Sequence, residues 1–339
     1  MGFEKVTEIL KEPPLFSSMT DLASERLGGK VLFATDDFFA EKENLIKPGR
    51  GVFVPDKFTD HGKWMDGWET RRKRSQGHDW VVIKLGAQGI IEGLDIDTNF
   101  FLGNHPPFAS VQAGFFPNDL TNDDWDNLSW EDILPSSSLD PGSHNYFACS
   151  SNTVFTHVRL HIYPDGGVAR FRIFGTVSKR WDLVSDNDVL DLASVLNGGK
   201  AIACNDMFFS TMDNLIMPGR GINMGDGWET KRNRNPDNHD WVIIRLGHKG
   251  AIEKVVVDTA HFKGNYPDRF NLEFTNDSND NDCLKSTLWR TMMPEQKLSA
   301  HTEHYFIISP PVTCTYVRLN IFPDGGVSRL RLFGKKIND

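Results

Sequence analysis

Apolar and polar residues alternate with period two in the closing part of each half of the chain. Val158, Leu160 and Ile162 fall on one side, with Arg159, His161 and Tyr163 on the other. After the turn Pro164-Asp165-Gly166-Gly167 the alternation resumes, Arg170 and Arg172 opposite Phe171 and Ile173. Two alternating runs about a Pro-Asp-Gly-Gly turn predict a β-hairpin. Elsewhere the apolar runs are short, as in Val81–Leu85, Thr153–Phe155 and Val255–Val257, and are bounded by Gly, Pro, Asn and Asp. Only Glu41–Leu45 and Asp186–Asn197 read as helices. Many short strands with frequent turn residues predict an all-β fold built from sandwiches.

The pattern is written twice. Asp66-Gly67-Trp68-Glu69-Thr70-Arg71-Arg72-Lys73-Arg74 returns as Asp226-Gly227-Trp228-Glu229-Thr230-Lys231-Arg232-Asn233-Arg234, identical at seven of nine positions. Val158–Gly175 matches Val317–Gly334 at 13 of 18 positions. Gly28-Gly29-Lys30, Asn44-Leu45-Ile46 and Pro48-Gly49-Arg50-Gly51 likewise return from Gly198 to Gly221. A repeat of this fidelity has to be settled before any other feature is interpreted. It divides the chain into a lead-in (1–21) and two tandem sandwich domains (22–180 and 181–339), with 176–191 as connector. The largest asymmetry lies between Gly51 and Asp66, where fourteen residues stand against four between Gly221 and Asp226. That longer loop, with Asp56, Asp60, His61 and Trp64, is a candidate lid or interface element.

Composition narrows the function. The chain of 339 residues is 39% hydrophobic and 24% charged, ordinary for a globular protein, and is long enough for two domains. A net charge of -9 argues against nucleic acid as partner, since a phosphate-binding face needs a basic excess. No apolar stretch approaches the length of a membrane span. Met1–Pro14 lacks the apolar centre of a signal peptide, so a cytoplasmic protein is expected. Cys149, Cys204, Cys283 and Cys314 form no C-x-x-C pair, so free thiols are expected.

Taken together, the blocks DDFFA, NLI-x-PGRG, DGWETRR, HDWVVIKLG and VRL-x-I-x-PDGGVAR resemble the allantoicase family, from about Leu22 to Gly334 and in both copies. The resemblance implies two tandem jelly-roll domains of galactose-binding-like type. It also implies hydrolysis of allantoate to ureidoglycolate and urea in purine degradation, by a homo-oligomer. A non-catalytic tandem carbohydrate- or ligand-binding protein is the alternative.

Allantoate presents a carboxylate and two ureido groups on one carbon. A site for it needs an Arg fork for the carboxylate, acceptors for ureido N–H groups, and a proton donor and base for expelling urea and adding water. Glu69, His78 and Asp79, with Glu229, His239 and Asp240 in the second copy, are the expected catalytic groups. Asp36, Arg50, Arg72 and Arg170, with Asp206, Arg220, Arg232 and Arg329, are the expected substrate-binding groups. Presence in both copies fits a structural requirement equally well, so the departures carry more information: Asp37 becomes Met207, His105 becomes Tyr266 and His161 becomes Asn320. No compact metal signature is present, so no cofactor is assigned and a divalent metal stays open. The acidic loop Asn276–Asp282 lacks the Gly and the closing Glu of a calcium-binding EF-hand.

Overall fold

In the first repeat, one long strand carries the architecture. The computed structural model describes residues 13–117, 125–235 and 238–338. Six strands of five or more residues make up the first repeat: β1 Lys30–Ala34, β2 Asp79–Asp97, β3 Phe108–Gly114, β4 Glu131–Ser138, β5 Val154–Tyr163 and β6 Arg170–Val177. The first half of β2 lies between β1 and β5, pairing Ile83 with Val31 and with Val158. β5 continues to β3, and β3 to β4, giving one five-stranded antiparallel layer. The second half of β2 pairs with β6 (Ile96 with Phe171) and with Tyr146–Ala148, and β6 takes Thr20–Asp21 on its other edge. A single strand thus feeds both layers, the way orthogonal sandwiches turn a corner. Val81, Ile83, Leu94, Ile96, Val158, Leu160, Phe171 and Ile173 are fully buried between them. Val158, Leu160, Phe171 and Ile173 of this set are the residues picked out by period-two alternation. It stabilises the repeat because each such side chain removed from water contributes about 1.5–3 kcal/mol before entropy is subtracted.

The second repeat follows the same plan with β7 Lys200–Cys204, β8 Asp240–Asp258, β9 Arg269–Thr275, β10 Arg290–Lys297, β11 Glu303–Phe322 and β12 Arg329–Lys336. Here β11 is also long and pairs with β8 along almost its whole length. The chain divides after Ser178 into two compact units.

The helical expectations need correction. Lys42–Ile46 forms a 3₁₀ turn and not an α-helix, stopped by Lys47-Pro48. Of Asp186–Asn197 only Val195–Asn197 is helical, again 3₁₀, while Leu190–Asp191 pairs with β12. The α-helix among the described residues is Asp280–Lys285, in the acidic loop, where Asn279 caps it by accepting from the Asp282 amide at 3.0 Å. The Asn/Asp run that resembles a calcium loop is thus a helix start.

The lead-in covers the outer face of the smaller layer in the first repeat. Phe16 lies edge-on to Tyr146, with ring centroids 6.3 Å apart, and 6.2 Å from the ring of Phe174. It rests on Gly93, where an added Cβ would stand 2.2 Å from the Phe16 ring. Gly93→Ala should therefore lift the segment at 13–18 off the sheet and cost about 1–3 kcal/mol, as overpacking does. Limited proteolysis at the N-terminus together with urea denaturation checks this. Unchanged protection would show that the ring is not needed there.

Candidate active site

The loops from one end of the first sandwich meet around Trp68. This indole is fully buried, and its Nε1 donates to the Asp36 carbonyl at 2.8 Å. Trp68–Glu69 then pairs with Gly167–Val168 of the Pro-Asp-Gly-Gly turn. Gly167 is required because the Phe101 ring occupies the place of a side chain, 2.0 Å from an ideal Cβ. Asp165 of the same turn accepts from the Lys73 amide at 2.7 Å. The hairpin and the Asp66–Asp79 loop therefore form one framework, and the second repeat reproduces it: Trp228 donates to the Asp206 carbonyl and Asp324 accepts from the Asn233 amide.

Within this framework the expected residues divide into different tasks. Arg170 is buried: its Nε donates to Gly49 O, its Nη1 to the Asp66 and Ala169 carbonyls, and its Nη2 to Asp66 Oδ2 at 2.8 Å. Arg329 repeats these contacts with Gly219, Asp226 and Ser328. With four of five donors engaged inside the fold, both are internal clamps. Burial pushes the Asp66 carboxyl up, but the Arg170 hydrogen bond and charge outweigh it and hold its pKa below the usual range. Arg50 grips Asp97 through Nε at 3.0 Å and Nη2 at 3.2 Å, and Arg220 grips Asp258 likewise. Asp36 accepts from the Arg71 amide, Nε and Nη2 at 2.6–2.9 Å. These bonds outweigh its burial and lower its pKa. Asp206 accepts instead from the Lys231 amide at 2.8 Å. Arg72 and Arg232 are exposed.

Asp79 is fully buried and accepts from Thr35 Oγ1 at 2.8 Å and from Lys73 Nζ at 2.5 Å. Its Oδ2 is buried without a hydrogen bond, as is Oδ2 of Asp240, whose Oδ1 accepts from Asn205 Nδ2 at 2.9 Å. His78 faces the outer side of the larger layer, where its Nε2 meets His161 Nδ1 at 2.8 Å. Gln112 Oε1 already accepts from Arg159 Nε and Nη2, so it can only accept from His161 Nε2 at 3.0 Å. His161 Nδ1 is then an acceptor and His78 Nε2 the donor. Burial drives the His161 pKa down to about 3 and lowers that of His78, so both rings are neutral at pH 7. In the second repeat His239 stacks on Phe322, and the chain is Asn320 to Asn271 and Glu273. The register of β5 against β2 brings His161 beside His78, and that of β3 against β5 brings Gln112 to His161.

Glu69 behaves differently. It opens into a cavity of about 370 Å³ lined by Phe39, Phe53, His61, Lys63, Phe100 and Asn104 among others. Residues 52–65, which have only four counterparts in the second repeat, form its roof through the hairpin Phe58–Thr59/Gly62–Lys63. His61 Nδ1 donates to the Phe38 carbonyl at 2.7 Å, and its ring stacks on Phe38 at 4.1 Å. Burial raises the Glu69 carboxyl above the usual range, and a 2.7 Å hydrogen bond from Asn104 Nδ2 only partly offsets this. Glu229 has the matching bond from Asn265, and the short Gly221–Asp226 connection does not rebuild the roof. Asn104 and the roof residue Lys63 are polar members of this cavity that the sequence reading gave no site role. The signal for Asn104 was its place in the repeated Gly-Asn-x-Pro block.

All four cysteines are free. Burial raises Cys149, Cys283 and Cys314 to about 12 and Cys204 to about 11, so none is a thiolate nucleophile. Among the described residues no three His, Cys, Asp or Glu side chains converge as metal ligands.

The sequence model of the allantoicase repeat family matches this chain twice, over residues 20–178 and 190–337. The chain is 52% identical to a probable allantoicase of Photobacterium profundum, over 95% of its own length and 98% of the relative's. It is 49% identical to a probable allantoicase of Pseudomonas savastanoi pv. phaseolicola, over 94% and 97%. Its fold superposes on the crystal structure of allantoicase from Saccharomyces cerevisiae with a TM-score of 0.80 at 38% identity, covering 94% of each chain.

Proposed function

The chain belongs to the allantoicase family, and from that premise we propose that the roofed cavity at Glu69 is where it hydrolyses allantoate to ureidoglycolate and urea. The observation that carries this reading is the raised, half-buried Glu69 carboxyl, in a cavity lined by the first repeat's longer loop. Urea leaves slowly as an anion, so a proton must reach the departing ureido nitrogen as its bond to the central carbon breaks. A carboxyl whose burial favours its protonated form supplies it. Water adds to the same carbon and loses a proton, which restores Glu69. Asn104 orients the acid, and Lys63 on the roof meets the substrate carboxylate. Phe39, Phe53 and Phe100 supply the apolar part of the wall beside these polar groups. We assign Asp79 to holding Lys73 and Thr35, and Arg170 with Arg329 to the framework.

The assay is urea release from allantoate by the purified protein, followed against pH. Because the acid form of Glu69 is the working form, kcat should fall as pH rises through its raised pKa. A flat alkaline limb would remove the acid role.

We further assign a homo-oligomer acting on a small molecule in the cytoplasm, without nucleic acid. An exposed apolar surface on the second repeat supports association. Met207, Phe208, Phe209 and Ile222 are 50%, 70%, 63% and 75% exposed where the first repeat has its roof. Phe208→Ser with Phe209→Ser should shift the molecular mass measured by light scattering toward the monomer. An unchanged mass would place the contact elsewhere.

A further inference from the structure

The Asp66–Asp79 loop and its copy share a buried carboxylate but not the cation that meets it. In the first repeat the Lys73 ammonium reaches Asp79 Oδ1 at 2.5 Å, and Thr35 Oγ1 donates to the same oxygen at 2.8 Å. In the second, Asn205 stands in the place of Thr35, and its Nδ2 donates to Asp240 Oδ1 at 2.9 Å. Asn233 stands in the place of Lys73. Its side chain is shorter, and its Oδ1 accepts from the Asn235 amide at 2.9 Å. Asp240 is only 3% exposed, yet among the described residues no cation pairs with it.

Beside this carboxylate lies a cavity of about 380 Å³, lined by Lys231, Arg232, Asn233, Arg234 and Asp240. Lys231 is already engaged: its Nζ lies 3.2 Å from Asp206, and its amide donates to the same carboxylate. Arg232 and Arg234 are exposed, and among the described residues neither pairs with a carboxylate. The cavity thus has one anionic wall and a cationic rim. A carboxylate oxygen accepts more than one hydrogen bond, so Asp240 Oδ1 keeps capacity for the second donor that Asp79 Oδ1 has. A buried charge also gains from a partner. A simple cation is repelled by Lys231, Arg232 and Arg234, and a simple anion by Asp240. A molecule with both charges at opposite ends suits both walls.

We propose that this cavity is a binding site for a small zwitterion of the amino-acid type, its ammonium beside Asp240 and its carboxylate on Arg232 and Arg234. The ammonium takes the role that the Lys73 side chain fills from within the first repeat. The carboxylate meets guanidinium forks, whose planar donors match its two oxygens. Selection comes from repulsion as much as attraction, since either half of the ligand alone faces a wall of its own sign. The first repeat cannot offer the same site, because its own lysine already occupies the carboxylate.

The proposal does not depend on where allantoate is hydrolysed, and its test uses no activity readout. Glycine, β-alanine and 4-aminobutanoate, which hold the two charges at increasing separation, are titrated into the full chain by calorimetry. Methylammonium and acetate serve as the separate halves. At least one zwitterion should bind saturably, with both halves weaker by about tenfold or more. Asn233→Lys rebuilds the internal pair of the first repeat and should weaken that zwitterion by about tenfold or more without lowering the unfolding midpoint of the free protein. Arg232→Gln with Arg234→Gln, on exposed side chains, should weaken it similarly with the fold untouched. The proposal is overturned if no zwitterion binds saturably, if acetate or methylammonium binds as tightly, or if binding survives Asn233→Lys or the double arginine replacement.

Discussion

Glu69→Gln should lower kcat for allantoate hydrolysis by about 10²–10⁴-fold, the range a positioned general acid contributes, with the fold intact. The substitution is nearly isosteric and keeps the hydrogen bond to Asn104, since the amide oxygen still accepts. It also removes a half-buried ionisable group, so it should not destabilise the first repeat. Only the transferable proton is lost. Glu229→Gln makes the same change at the matching turn of the second repeat and should leave the rate near that of the wild type. The difference between the two rests on the roof of residues 52–65, because burial is what raises the Glu69 pKa. Measured kcat and KM for both variants decide the matter. Equal losses in both would sink the assignment to the first repeat, and small losses in both would remove these carboxylates from the chemistry.

Arg170→Met should destabilise the first repeat by about 3–5 kcal/mol, the cost of leaving one partner of a buried ion pair uncompensated. Asp66 would keep its negative charge at pH 7 but lose the 2.8 Å contact that holds its pKa down. The carbonyls of Gly49, Asp66 and Ala169 would lose donors as well. Asp66→Asn combined with Arg170→Met should recover part of the loss, because no unpaired charge then remains. The stabilisation from a lowered Asp66 pKa is present above its unfolded value near 3.9 and disappears as pH falls through the folded value. The wild type and Arg170→Met should therefore converge in stability in acid. Urea denaturation at pH 7 and in acid measures both effects. A deficit that persists undiminished in acid would mean that lost packing, and not the pair, dominates.

Much of the fold was legible because periodicity and repetition are local properties. Two-residue alternation reports which side chains face a core without knowledge of the partner strand, and the doubled Asp-Gly-Trp-Glu-Thr block exposes two copies of one unit. Jelly-roll sandwiches followed from the family resemblance, and the two repeat matches bear out the family. The helix at Asp280–Lys285 was missed because an Asn/Asp cluster caps a helix and ligates a cation with the same side chains, and only its backbone bonds tell the two apart.

The chain by itself determined the doubled β unit, the loop that gathers charge beside two tryptophans, and the ten-residue asymmetry between the halves. Tertiary structure alone decided which of those charges are spent within the fold. Arg170 and Arg72 look alike in sequence, yet one is walled in by carbonyls from Gly49, Asp66 and Ala169 and the other stands in water. Glu69 and Glu229 sit in identical five-residue blocks and differ only in what roofs them. The reason is physical: a side chain's protonation and reach depend on desolvation and on partners tens of residues away, which no local pattern encodes.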